Sequence, residues 1–133
     1  MFSTVLSVRD CDDYLVVTLL GEFDVVDAVA VTAALLAAAD RQPRIVVDLA
    51  GLEFIDVSGM AALVRARKHA RRAGGDLLLA APRPRLLRLL SIPSLAYDFS
   101  VYASAEEAAV SGFRDSLGVA ALPVAPRSLD QAS

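Results

Sequence analysis

One stretch constrains the fold more than any other, because it joins a short buried strand to a helix. The run from Arg44 to Leu49 is rich in β-branched residues and lies between Pro43 and Gly51, a pattern typical of a buried strand. The run from Ala61 to Ala73 is rich in alanine, leucine and arginine, which predicts a helix. The connecting residues include Phe54-Ile55-Asp56-Val57-Ser58-Gly59-Met60. We therefore predict that this segment is a loop that ends at a helix N-terminus.

Two polar side chains stand at this predicted helix start. Asp56 is a candidate N-cap, and Ser58 falls in the first turn. The free N–H groups and the dipole at a helix N-terminus favour negative charge, so a phosphate on Ser58 would be well accommodated. Gly59 leaves room for another backbone or a nucleotide to approach. The alternative is that Asp56 and Ser58 are ordinary capping residues with no further role.

Composition narrows the classes of function. The 133 residues suggest one domain, and a hydrophobic content of 56% argues against disorder of the whole chain. The net charge of −3 argues against nucleic acid as the main partner. Cys11 is the only cysteine, so neither an intrachain disulfide nor a pair of zinc thiolates is possible. No signal peptide is visible, and the uncharged run Ala28–Ala39 is too short to span a bilayer. We expect a cytoplasmic protein without a membrane segment.

The remaining patterns predict a single α/β domain. Two strand-like runs around a polar turn open the chain, and helix-like and strand-like runs then alternate, in the order ββαβαβαβα. Strands separated by helices imply parallel pairs, so the sheet is predicted to be mixed, with four to five strands and about four helices. A capping box, Ser104 to Glu107, opens the last helix. We predict that residues 1–117 form the domain and that residues 118–133, which lack periodicity, form a mobile tail.

The first predicted helix is unusual because it carries no charged residue between Asp27 and Asp40. A surface helix normally has a polar face. Either this helix is unusually buried, or its outer side, near Val25, Val26 and Val29, is a contact surface. The sequence leaves both possibilities open.

Four segments together resemble a known family, the STAS domains of the anti-sigma-factor antagonist type. The segments are Gly21-Glu22-Phe23-Asp24, Asp48-Leu49 with Phe54-Ile55-Asp56-Val57-Ser58-Gly59, Ala73-Gly74-Gly75, and Leu77-Leu78-Leu79. The resemblance covers Thr4 to Leu117. Its most specific part is the Asp-x-Ser-Gly motif that begins at Asp56.

The resemblance implies a partner-switching protein rather than an enzyme. Such an antagonist binds an anti-sigma factor that is also a serine kinase, and so releases a sigma factor. The kinase phosphorylates the loop serine, the antagonist dissociates, and a PP2C-type phosphatase resets it. Ser58 falls on the acceptor position. No cofactor or metal is implied. The predicted partner-binding residues are Asp24, Val25, Val29, Asp56, Val57, Ser58, Gly59 and Met60.

One position departs from the family pattern. Many members carry serine or threonine where this chain has Val57. Ser58 is therefore the only hydroxyl in this loop and the only candidate acceptor there.

Three other functions are alternatives to a phosphorylated partner-switching protein: an enzyme, a nucleic-acid-binding protein and a STAS module that is never phosphorylated. A serine nucleophile needs a nearby base, but the only histidine, His69, lies eleven residues further along the predicted helix, about 16 Å away. The basic residues of that helix do not share one face and have no interleaved aromatic residues, so direct binding of nucleic acid is not expected. The basic residues are Arg65, Arg67, Lys68, Arg71 and Arg72. The remaining alternative is a STAS module that is never phosphorylated and acts as a scaffold or as a sensor of a nucleotide or small ligand, although no glycine-rich phosphate loop is present.

Overall fold

The computed structural model describes residues 4–90 and 99–113, which form a mixed sheet with helices on both faces. The strands are β1 Val5–Asp10, β2 Leu15–Phe23, β3 Arg44–Asp48, β4 Leu52–Ile55, β5 Asp76–Ala80 and β6 Val101–Tyr102. The helices are α1 Val25–Arg41, α2 Val57–Arg72, α3 Pro84–Leu90 and the short α4 Ala105–Glu107, which continues as a π-helical turn, Ala108–Gly112.

The sheet has the order β1-β2-β3-β5-β6, and β4 also pairs with β2. The β1–β2 pair is antiparallel and all the others are parallel. The predicted α/β class, mixed sheet and opening hairpin are therefore confirmed. Six strands are observed in the described residues, whereas four to five are predicted. The difference arises because the sequence predicts a loop where β4 lies.

The signal for β4 is weak for a physical reason. The strand has four residues, and its two central residues, Glu53 and Phe54, are both exposed, so the usual alternation of buried and exposed positions is absent. Its pairing with β2 is irregular too, since the register shifts between Gly21 and Glu22. Gly21 has a φ of 91°, a backbone conformation that favours glycine.

The core has two parts, one on each face of the sheet. On one face, side chains such as Val17, Ile45 and Leu63 pack with α1, α2 and α3. On the other, Val16 and Leu78 pack with the C-terminal helical segment. All five are 3% exposed or less. The site described below lies where α1 and α2 begin.

Helix α2 ends just before a pair of glycines, Gly74 and Gly75. Gly74 adopts a φ of 92°, a conformation that favours glycine. Its N–H donates to Arg71 O, and Gly75 N–H donates to Ala70 O, which is the Schellman arrangement. Near the same end, His69 Nε2 lies 2.8 Å from Asp40 Oδ1 of α1 and so joins the two helices.

Several predictions fall at the limits of the described residues. Strand β6 consists of Val101–Tyr102, and residues 91–98 lie outside the described part of the chain. Ser104 caps α4 as predicted, since its Oγ accepts from Glu107 N–H at 3.1 Å. The predicted end of the last helix, near Leu117, and the predicted tail, 118–133, are also outside the described residues.

Candidate functional site

The candidate site is built from two parallel strands that end side by side. Phe23 at the end of β2 is the register partner of Ile55 at the end of β4. Each strand is followed by one aspartate, Asp24 or Asp56, and then directly by a helix. The N-termini of α1 and α2 therefore lie next to each other at one edge of the sheet.

The two aspartates cap these helices. Asp24 Oδ1 accepts a hydrogen bond from Val26 N–H at 3.0 Å, within α1. Asp56 Oδ1 accepts from Gly59 N–H at 2.9 Å, within α2. Asp56 Oδ2 also accepts from Val25 N–H at 3.2 Å. Asp56 therefore caps its own helix and ties the start of α1 to it, whereas Asp24 caps only α1.

Gly59 allows α2 to begin close to β2 and β4. A Cβ at this position would lie 2.6 Å from Ile55 Cγ1, 3.0 Å from Phe23 O and 3.1 Å from Phe23 Cγ. The room that the sequence predicted beside Gly59 is therefore occupied by the protein's own chain. That arrangement gives Gly59 a structural role and leaves no space there for a nucleotide.

Ser58 is half-buried at the second position of α2. It lines an open groove between α1 and α2, together with Val29, Ala61 and Arg65. Its hydroxyl makes no hydrogen bond to any residue in the ranges 4–90 and 99–113. Every buried polar side-chain atom of those ranges has a partner, so the Ser58 hydroxyl must be accessible to solvent.

Of the four N–H groups in the first turn of α2, two donate hydrogen bonds to described residues and two do not. Gly59 N–H is taken by the Asp56 side chain, and Met60 N–H donates to Asp56 O at 2.9 Å. The N–H groups of Val57 and Ser58 have no acceptor among the described residues. Two backbone donors are thus available beside the Ser58 hydroxyl, where a negative charge is favoured.

An apolar surface surrounds the serine, and we call it the valine rim: Val25, Val26, Val29 and Val57. Their exposed fractions are 64%, 74%, 82% and 70%. The possibility that α1 is unusually buried is therefore wrong; its charge-free outer side faces solvent. Exposed aliphatic side chains clustered in this way are typical of a contact surface.

The structure places two of the predicted partner-binding residues, Gly59 and Met60, below the surface. Met60 is only 6% exposed and packs in the core on the face of the sheet that α1, α2 and α3 cover. Its side chain therefore cannot be part of the surface. Gly59 is buried as well. Of the predicted set, Val25, Val29 and Val57 are exposed, and Asp24, Asp56 and Ser58 are half-buried.

The sequence-based prediction omits Ala61 and Arg65 from the site, and it names Val26 only as part of the possible contact surface of the first helix. Ala61 and Arg65 follow Ser58 by three and seven positions, a spacing that places side chains on one face of a helix. That spacing was the available signal.

The observed geometry does not assemble a hydrolytic site at Ser58. His69 and Ser58 lie on the same continuous helix, eleven residues apart, and His69 is engaged with Asp40. Within residues 4–90 and 99–113, no group of three or more histidine, cysteine or acidic side chains is placed to hold a metal ion. In the same ranges, no helix has both the length and the apolar character needed to cross a bilayer.

The basic residues of α2 point in different directions, as predicted. Arg67 turns toward β5, where its Nε lies 3.3 Å from Asp76 Oδ1, and its guanidinium stacks over the Phe99 ring at 5.6 Å. Arg65 instead lines the groove beside Ser58. The helix therefore presents no continuous basic stripe made from all five residues.

Comparison with known proteins gives a consistent result. The family model described as STAS domain matches residues 6–108. The candidate anti-sigma factor antagonist BtrV of Bordetella bronchiseptica is 28% identical over 113 residues, which cover 84% of this chain and 97% of that protein. The crystal structure of an anti-sigma factor antagonist from Mycobacterium paratuberculosis has a TM-score of 0.70 at 28% identity, covering 85% of this chain and 96% of the other. The phosphorylated form of the Bacillus cell fate determinant SpoIIAA has a TM-score of 0.62 at 20% identity, covering 80% and 97%; at that identity the likeness shows the fold alone.

Proposed function

The chain belongs to the STAS domain family, and we propose that it is an anti-sigma-factor antagonist switched by phosphorylation of Ser58. In the proposed cycle, the unmodified protein binds an anti-sigma factor that is also a serine kinase, and a sigma factor is released. Phosphorylation of Ser58 dissociates the complex, and a PP2C-type phosphatase restores the binding form. The cycle would run in the cytoplasm, where sigma factors act.

One observation carries this proposal: Ser58 presents a hydroxyl without a hydrogen-bond partner among the described residues, at a helix start bordered by exposed valines. A kinase needs access to the oxygen, and this hydroxyl is accessible. A partner surface that packs on Val29 or Val57 would lie against the same oxygen. The acceptor and the apolar contact surface are therefore one site, which is what a release switch requires.

A phosphate on Ser58 would act mainly on binding. It adds about −1.5 to −2 charges at neutral pH. Its own helix can accommodate that charge, because the N–H groups of Val57 and Ser58 are available as donors. A partner packed on the valine rim would instead have to desolvate the phosphate, and the carboxylates of Asp24 and Asp56 already make this edge negative. The fold is preserved while the complex is weakened.

The experiment starts with trapping the partner. A Ser58→Ala protein cannot accept phosphate and should remain bound to its anti-sigma factor when ATP is present, whereas the parent should be released. Incubation of the parent with the captured kinase and Mg-ATP, followed by peptide mass spectrometry, should place one phosphate on Ser58. Ser7 on β1 is exposed and provides the control: Ser7→Ala should behave like the parent.

Two results separate the proposal from a STAS module that acts only as a scaffold. If a partner binds equally to the parent and to Ser58→Ala, and ATP releases neither, the scaffold function is supported. If phosphate is found on another residue and Ser58→Ala is released normally, the switch exists but Ser58 is not its acceptor.

A further inference from the structure

Strand β4 pairs with β2 along one edge, and a second candidate binding surface lies along its other edge. Strand β5 ends at Ala80, and the chain turns away at Ala81, whose φ is 56°. Pro82 and Pro84 then prevent continuation as a central strand and open α3. The position beside β4 that a longer β5 would occupy is therefore left vacant by the described residues.

This vacancy is a groove between β4 and α3, and we call it the β4–α3 groove. It has a volume of about 330 Å³. All four residues of β4 line one side, and the other side is formed by Arg83 to Leu86 together with Leu89. Leu52, Ile55 and Leu86 are buried in its floor, whereas Phe54 is 43% exposed. The floor is thus apolar, and one wall is a strand.

The strand wall has an open edge. Within the described residues β4 pairs only with β2. Just beyond β4, Asp56 N–H donates toward β2, to Phe23 O at 3.1 Å. Because neighbouring residues of a strand direct their N–H groups to opposite edges, the N–H of Ile55 points into the groove. An unpaired edge of this kind is a template for another extended chain.

The charges at the groove favour an acidic ligand. Arg83 is held in place by its Nε, which donates to Ala50 O at 3.0 Å. Arg85 is exposed and makes no ion pair or hydrogen bond with any described residue. Glu53, also exposed, lines the same groove. Two cationic side chains and one anionic side chain leave a net positive charge, with Arg85 as the available partner for a carboxylate.

We propose that the β4–α3 groove binds an extended peptide segment of a partner protein, which adds as a strand to β4 and carries an apolar residue and, two positions later on the same face of the strand, an acidic one. The backbone pairs with the open edge at Ile55, the apolar side chain covers Leu86 and Leu89, and the carboxylate pairs with Arg85. This proposal does not depend on Ser58 being phosphorylated, because the groove lies on the other side of β4 and α2 does not line it.

The test uses a synthetic probe, acetyl-Ser-Val-Thr-Leu-Thr-Asp-Ser-amide, whose leucine and aspartate share one face of the strand; it is titrated into the ¹⁵N-labelled full chain and followed by NMR. Amide shifts should move for Leu52 to Ile55 and for Arg85 to Leu89, and not along the outer face of α1. A scrambled peptide of the same composition controls for nonspecific association. Movement confined to α1 and α2, or no movement, would overturn the proposal.

Three single variants test whether the charged side chains of the groove contribute to binding of the probe. Arg85→Gln should weaken the probe about three- to fivefold, the upper range for an exposed ion pair. Arg88→Gln is the matched control, since Arg88 is exposed on the same helix but does not line the groove; it should have no effect. Glu53→Gln should tighten binding about twofold by removing repulsion. Equal affinities for the parent and Arg85→Gln would show that the groove does not select a carboxylate.

Versions of the probe peptide with N-methylated backbone amides distinguish strand addition from binding through side chains alone. N-methylation of the probe residues whose N–H groups face β4 should abolish the shifts, while N-methylation at the alternate positions should be tolerated. If both methylated probes bind like the parent peptide, the groove is an ordinary apolar pocket and the proposal is wrong.

Discussion

The starts of α1 and α2 are built on the same plan but present different side chains. Each follows a parallel strand, each is capped by an aspartate, and each begins with an exposed valine, Val25 or Val57. The second helical position is Val26 in α1 and Ser58 in α2. The second position of α1 is thus a second exposed valine, whereas the second position of α2 is a hydroxyl.

The difference extends to the third position and to the caps. Asp27 in α1 accepts a hydrogen bond from Thr4 N–H at 3.0 Å, whereas Gly59 in α2 packs against Phe23 and Ile55. Asp56 holds both helix starts, and Asp24 holds only one. The α2 start is therefore fixed by the Asp56 cap and by the close packing of Gly59, and Ser58 lies between these two residues in the sequence and the helix. Neither contact involves the Ser58 hydroxyl, so a modification there can change binding without changing the fold.

The largest effect on stability should come from Gly59→Val. The added side chain would overlap Ile55 and the Phe23 carbonyl, and we expect a loss of about 3 kcal/mol in the free energy of unfolding. Urea denaturation measures it. Ala61→Val, at an exposed position on the same helix, should cost less than about 1 kcal/mol. A similar small cost at both positions would show that α2 can move away from the sheet.

An intermediate effect should separate the two caps. Asp56→Ala removes the acceptor of two N–H groups, and we expect a loss of about 2 kcal/mol; Asp24→Ala removes one and should cost about 1 kcal/mol. The same urea titrations compare them. Equal costs would contradict the bridging role of Asp56. Because Asp56 supports the fold, a binding defect in Asp56→Ala must be corrected for stability.

The smallest effect on stability should come from the valine rim. Val29→Glu and Val25→Glu change exposed side chains, so the free energy of unfolding should stay within about 0.5 kcal/mol of the parent. Binding of the anti-sigma partner should nevertheless weaken about tenfold or more, because a charge must be desolvated in the interface. Val110→Glu, equally exposed but on the segment that covers the other face of the sheet, is the control and should bind normally. Unfolding of either rim variant would show that the residue belongs to the core.

The sequence predicted the local structure correctly where neighbouring residues decide it. Asp56 caps the helix that follows it, and Ser104 caps the last helix; each works through its nearest neighbours along the chain. The parallel arrangement followed from alternation of strands and helices.

The sequence-based predictions were wrong where the local structure depends on residues that are distant in the sequence. Strand β4 exists because β2 is long enough to pair with β3 at Leu15–Thr18 and with β4 at Gly21–Phe23, which no local pattern in Leu52–Ile55 indicates. Met60 was placed at the surface because it follows the serine loop, but the helix starts at Val57 and turns Met60 toward the core. The second hydrogen bond of Asp56, to Val25, joins residues 31 positions apart.

The central claim is that a phosphate on Ser58 weakens partner binding while the fold around it stays intact. Titration calorimetry tests it most directly, with unmodified protein and protein phosphorylated stoichiometrically on Ser58, each titrated with the same anti-sigma factor. We expect the phosphorylated form to bind at least about tenfold more weakly, a difference of about 1.4 kcal/mol. Equal affinity of the two forms, with the phosphate verified on Ser58, would contradict the account.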